Sequence, residues 1–113
     1  MPAMILKDIT QNKLLTNHSK EAKSIKDKGL GLLLKENPRF MVFNTRFGIH
    51  SFGMKEAIDI MVLNKTNHIV KLKENFKPNR AFFWNLRFSK VIEMPAGTIS
   101  EQGLKLGDLI QII

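Results

Sequence analysis

The densest polar segment, Met54-Lys55-Glu56-Ala57-Ile58-Asp59, sets a cation among carboxylates immediately before an apolar run. Lys55 could bind an anion there, and Asp59 could fix a ligand hydroxyl or orient Lys55. The structural alternative leaves Lys55 in solvent and has Asp59 satisfy local amides at a turn, a common use of Asp. His50, between Phe47 and Phe52, is near Lys55 and Asp59 in sequence. It could act as a general base oriented by Asp59; a strand histidine with local hydrogen bonds is the plainer reading. The segment Arg80-Ala81-Phe82-Phe83-Trp84-Asn85-Leu86-Arg87-Phe88-Ser89-Lys90 interleaves aromatics with cations. Bases stack on exposed rings while Arg and Lys meet phosphates. Yet Phe82, Trp84, Leu86 and Phe88 alternate as one strand face would, which favours core and leaves Phe83 outside.

Several chemistries find no support. Gly29-Leu30-Gly31 lacks the spacing and the Lys-Ser/Thr ending of a phosphate loop. Ser100 has no nucleophile-elbow context. His18, His50 and His68 form no HxH, HxxxH or His-carboxylate cluster, so no metal site is expected. The chain contains no cysteine, which removes disulfides and thiolate chemistry. No cofactor and no catalytic residue is assigned.

The elements that would position these residues are mostly strands. Met4 to Ile9 predicts a strand, returned by Leu14-Leu15-Thr16 after a turn. Ser19 is a candidate N-cap for a helix over about Lys20 to Lys28, with Lys20, Lys23 and Lys26 on its outer arc. Leu30 to Leu34 resumes apolar structure, and Glu36 to Arg39 is a turn. From Phe40 the period is near two, with Met41, Phe43 and Phe47 facing one way and Val42 the exception. Ile58, Ile60 and Val62 predict a strand that Asn64-Lys65-Thr66-Asn67 turns back into His68 to Lys73. Lys90 to Met94 is a further strand. Thr98-Ile99-Ser100-Glu101 has capping-box spacing, Gly103 supplies the left-handed helix exit, and Gly107-Asp108 turns into a closing strand from Leu109.

The 113 residues predict a single domain, 1–113, and 43% hydrophobic content fits a globular core. The expected fold is α+β and β-dominated: about seven short, mostly antiparallel strands with two short helices, closing or nearly closing into a small barrel. No apolar run approaches the roughly 20 residues that span a bilayer. Asp8 interrupts the opening apolar run before it could serve as a signal peptide. A cytoplasmic protein without a membrane partner is expected. The net charge of +8 admits electrostatic attraction to phosphates.

Four segments together resemble the domain-of-unknown-function 192 family of small archaeal and bacterial proteins. Gly31-Leu32-Leu33-Leu34-Lys35 looks like its Gly-Leu-Met-aromatic-Arg element, with Leu33 and Lys35 in place of Met and Arg. Met41-Val42-Phe43 resembles its Met-Leu-Phe strand. Gly53-Met54-Lys55 with Ile58-Asp59-Ile60 resembles its Met-led basic segment, Glu56-Ala57 replacing an aromatic-Pro pair. Glu93-Met94-Pro95-Ala96-Gly97 with Gly103 and Gly107-Asp108 is similar to its closing strand, bend and turn. The resemblance spans about residues 14 to 113. It implies a compact β-rich fold and no assigned activity.

The leading expectation is a non-catalytic module that binds a small molecule or protein partner, with Met54, Lys55, Asp59 and Trp84 as its contact region. The alternative is electrostatic nucleic-acid binding through Lys20, Lys23, Lys26, Arg80, Arg87 and Lys90. An enzyme using His50 and Asp59 stands third.

Overall fold

Alternating apolar positions build strands throughout the computed structural model, which describes residues 4–21, 40–46, 48–52 and 54–113. In chain order these are β1 (Met4–Asp8), β2 (Lys13–Glu21), β3 (Met41–Asn44), β4 (Gly48–His50), β5 (Ile58–Leu63), β6 (Ile69–Phe76), β7 (Ala81–Phe83), β8 (Lys90–Pro95), the short helix α1 (Thr98–Gln102) and β9 (Ile110–Ile112). Seven strands form one sheet in the order β6-β5-β8-β3-β2-β1-β9, and β4 pairs with β7 as a separate ribbon. All pairings are antiparallel except that of β2 with β3.

The central strands are covered on both faces. Met41, Phe43, Ile58, Ile60, Val62 and Val91 point into one apolar cluster with Phe76 and Trp84. The alternate residues Val42, Met61, Leu63, Ile92 and Met94 point into another, with Leu6, Leu15, Ile99 and Ile110. Val42 breaks the simple period because its face is also buried. Each fully buried aliphatic side chain stabilises the fold by roughly 1.5–3 kcal/mol, so this double layer dominates the energetics. The β4–β7 ribbon covers one cluster through Ile49 and Phe82. Gly48 permits its close pairing: a Cβ there would lie 2.5 Å from the Phe82 carbonyl oxygen.

Three expectations are corrected. No closed barrel forms: β9 is three residues long and pairs with β1. The turn before β9 meets the start of β6 through the isolated His68–Leu109 bridge and the Gly107 amide, which donates to Ile69 O, and β6 continues with exposed Lys71, Lys73 and Glu74, the type of charge that keeps an edge solvated. Among the described residues there is one helix, not two. Ser19 and Lys20, the expected cap and first turn, lie in β2, and the remainder of that helix, with Leu30 to Leu34 and the turn at 36–39, falls outside the described residues. The strand from Ala81 to Phe88 stops at Phe83 because Asn85 makes a turn: its side-chain oxygen accepts the Arg87 amide and its carbonyl the Phe88 amide. Phe82, Trp84 and Phe88 still reach the core, while Leu86 is exposed.

A polar latch ties the β1–β2 turn to the turn before β9. Gln11 Nε2 donates to Gly103 O and to Asp108 Oδ2, each at 2.6 Å, and its amide donates to Asp8 Oδ1. Burial and the hydrogen bond to Asp108 push the Asp8 carboxyl up to about 6. Burial acts upward on Asp108 too, but hydrogen bonds from Asp8, Gln11 and the Lys105 amide outweigh it and leave it below its ordinary value.

Glu93 is the other buried acid. It is 4% exposed and lies in register between Met41 and Ile60; burial pushes it up to about 8. An acid with a raised folded-state pKa favours the fold while protonated. That contribution is complete below its ordinary 4.5 and is lost as pH rises through about 8. Denaturant unfolding followed from about pH 5 to about pH 9 should therefore cost the native chain a few kcal/mol more than Glu93→Gln. Parallel pH profiles for the two proteins would contradict this.

Candidate functional site

Three short connections converge at one end of the sheet. The β5–β6 turn is built by Asn64, whose Oδ1 accepts the amides of Thr66 and His68 at 3.0 and 2.9 Å and the Thr66 hydroxyl. Asn67 takes the left-handed conformation that closes this turn, φ 65°. Lys65 therefore projects from a fixed loop. The β7–β8 connection is held by the Asn85 turn and by Trp84, whose Nε1 donates to Phe88 O at 2.9 Å. It presents Arg87 and Phe88. Arg46 follows β3, whose exit is tied to this connection by Thr45 N donating to Ser89 O at 2.8 Å. Lys90 opens β8 and donates from Nζ to Asn67 Oδ1, linking two of the loops.

Between them lies a cleft of about 250 Å³ lined by Arg46, Leu63, Asn64, Lys65, Arg87, Phe88, Ser89 and Lys90. A wider recess of about 440 Å³ adjoins it and shares Asn64, Lys65, Arg87 and Phe88, adding Thr66. Four cations line the first compartment and no carboxylate lines either one. Like charges collected in a concave space attract an anion more strongly than the same charges spread over open surface.

The expected contact residues are divided by the sheet. Met54 and Trp84 pack on the same apolar cluster, Trp84 only 7% exposed, while Lys55 is exposed. Asp59 is fully buried and turns the other way. Its Oδ2 accepts the amides of Gly97 and Ile99, at 3.1 and 2.9 Å, and its Oδ1 accepts that of Asn75 at 2.9 Å. Asp59 is thus the cap of α1. The expected Thr98 capping box does not form: Gly97 occupies the N-cap with φ 95° and no side-chain bond from that position, and the Thr98 hydroxyl donates to Pro95 O instead. The Gly103 exit is as expected, φ 63°.

His50 is exposed, stacked on Phe52 at 5.0 Å, and its Nδ1 accepts the Phe52 amide. Both Asp59 oxygens are engaged by backbone amides instead of by that ring. His68 Nδ1 meets the Thr66 hydroxyl in the turn. Among the described residues no cluster of three metal-ligating side chains occurs, and no helix is long and apolar enough to cross a membrane. Of the cations expected to face nucleic acid, Arg87 and Lys90 line the cleft. Arg80 is exposed beside Asn79, Lys20 lies in β2, and Lys23 and Lys26 are outside the described residues. Arg46, Asn64 and Lys65 are the site residues that sequence reasoning missed. Only the Asn64–Asn67 turn was marked in the sequence, and nothing there joins position 46 to positions 87–90.

Fold and cleft together define a small strand-dominated domain with one short helix and a basic recess at its loop end. The family model "Uncharacterized ACR, COG1430", DUF192, matches residues 9–112. The chain belongs to this family. No curated protein matches the sequence at a significant level. Two crystal structures share the fold. A protein of unknown function from Novosphingobium aromaticivorans is 14% identical with a TM-score of 0.79, the match covering 96% of this chain and 82% of that one. A protein described as a "putative transcription regulator" from Sinorhizobium meliloti is 17% identical with a TM-score of 0.78, covering 96% and 91%.

Because Asp59 serves α1 from a distant strand, Asp59→Ala should destabilise the protein by about 3 kcal/mol, the order expected when charge-assisted bonds are lost and buried amides are left unpaired. Asp59→Asn should recover part of that loss. Chemical denaturation measures both; an Ala variant within about 0.5 kcal/mol of the native chain would show that the amides find other partners.

Proposed function

We propose that this chain is a non-catalytic binding module for a small anionic ligand, held in the cleft between the β5–β6 turn and the β7–β8 connection. One observation carries the reading: Arg46, Lys65, Arg87 and Lys90 reach one recess from separate parts of the chain, with no acid among its lining residues. Guanidinium groups match carboxylate and phosphate oxygens in pairs, and lysines add mobile point charge. The hydroxyl of Ser89 supplies a further donor at the same wall. The lining holds no histidine and no carboxylate, the usual general bases, which favours retention of the ligand over its conversion.

Trp84 enters this reading as support for Phe88, whose carbonyl it holds. The Met54–Lys55 segment is a separate surface. A second reading, electrostatic binding of nucleic acid, gains from Arg87 and Lys90 lining the same recess as two further cations. The two differ in salt response and in size of partner.

Titration calorimetry with inorganic phosphate at low ionic strength tests the module directly. The native chain should bind, and Lys65→Ala combined with Arg87→Ala should weaken binding at least about tenfold, since each lost charge-assisted contact contributes roughly 1.5–3 kcal/mol before screening. Both side chains are exposed, so the melting temperature should hardly move. Phosphate affinity equal in native and double variant would reject the cleft as the site.

A further inference from the structure

Resting on the anion-cleft reading, we infer that the ligand is a phosphomonoester joined to a flat, weakly polar ring, the chemistry of a mononucleotide. The recess is bipartite. The inner compartment gathers four cations, whereas the outer one retains Lys65 and Arg87 but is wider and more apolar, lined by Phe88 and Thr66. A bare oxyanion satisfies only the inner half. At about 250 Å³ that half already exceeds a single oxyanion, given that one water occupies about 30 Å³ in the liquid.

The shared wall suits a ring. Phe88 and Arg87 are adjacent and line both compartments. Aromatic and guanidinium planes are the groups on which nucleobases stack. The backbone that carries them is fixed in advance: Trp84 Nε1 holds the Phe88 carbonyl, and Asn85 holds the amides of Arg87 and Phe88. Little ordering entropy is then spent when a ring docks. A sugar-sized spacer would cross the Asn64–Lys65 edge common to both compartments. A polynucleotide fits less well, because the second phosphate of a continuous strand would leave the only recess that concentrates these cations among the described cavities.

Calorimetry on the full chain with inorganic phosphate, ribose 5-phosphate, AMP and a short single-stranded oligonucleotide tests this, at one low salt concentration and one near-physiological. AMP should bind at least about tenfold more tightly than either phosphate or ribose 5-phosphate, the order of one stacking contact. Phe88→Leu keeps an apolar filler and should bring the AMP-to-phosphate affinity ratio toward one. Arg87→Lys, which keeps the charge and removes the plane, should lower the same ratio without touching the core. Equal affinity for AMP and inorganic phosphate would overturn the ring inference and leave the anion cleft standing. An oligonucleotide bound far more tightly than AMP, with affinity falling steeply as salt rises, would overturn it in favour of a polynucleotide. Absence of binding by every phosphate ligand would remove both the inference and the reading beneath it.

Discussion

The central strands of this domain have no solvent face, and that constraint governs most of what the remaining residues can do. β5 is buried at every position and β8 at its four inner ones. A strand sends successive side chains to opposite sides, so each of these strands must supply two cores at once. Polar groups survive there only when their chemistry is settled within the protein. Asp59 is tolerated because three backbone amides meet its carboxylate. Glu93 is tolerated because its carboxyl stays protonated up to about pH 8.

Polar side chains that face solvent are thereby displaced to the strand ends. The connections there are shaped by asparagines: Asn64 and Asn85 accept amides two residues ahead, and Asn67 supplies a positive φ. Such turns fix the backbone by local bonds alone. They leave Lys65, Arg87 and their neighbours to face outward while the loop itself stays rigid. The β1–β2 turn and the turn before β9 use their polar residues differently. Asp8, Gln11 and Asp108 bond mainly to one another and to Gly103, which closes the seam between β1 and the turn into β9.

The parts of the fold that were legible in the sequence are those set by local pattern. The β5–β6 hairpin, the strand from Lys90 and the left-handed glycine after α1 each follow from a few adjacent residues. The failures came where a distant partner overrides a local signal. Thr98 had capping-box spacing, but Asp59 reaches the amides first from a strand about forty positions away. Leu86 continued an alternation that Asn85 had already broken with a turn. Trp84 and Asp59 were chemically suggestive in the sequence, yet the fold uses one as a core residue and the other as a cap. The cleft was not legible at all. Its cations occupy positions 46, 65, 87 and 90, and only the order β5-β8-β3 in the sheet brings those chain ends together.

The same division is consistent with this fold recurring in proteins only 14% and 17% identical. Two-sided burial asks for apolar side chains of suitable volume more than for particular ones, and cores accept broad exchange on those terms. The loop ends are under no such demand, since an exposed cation at a turn contributes little to stability. Architecture can therefore persist while the chemistry at the strand ends drifts, and likeness of fold gives no warrant for likeness of ligand. Any role for the basic recess therefore has to be argued from this chain's own turns: from which cations they hold there and how the order β5-β8-β3 brings Arg46 beside Phe88.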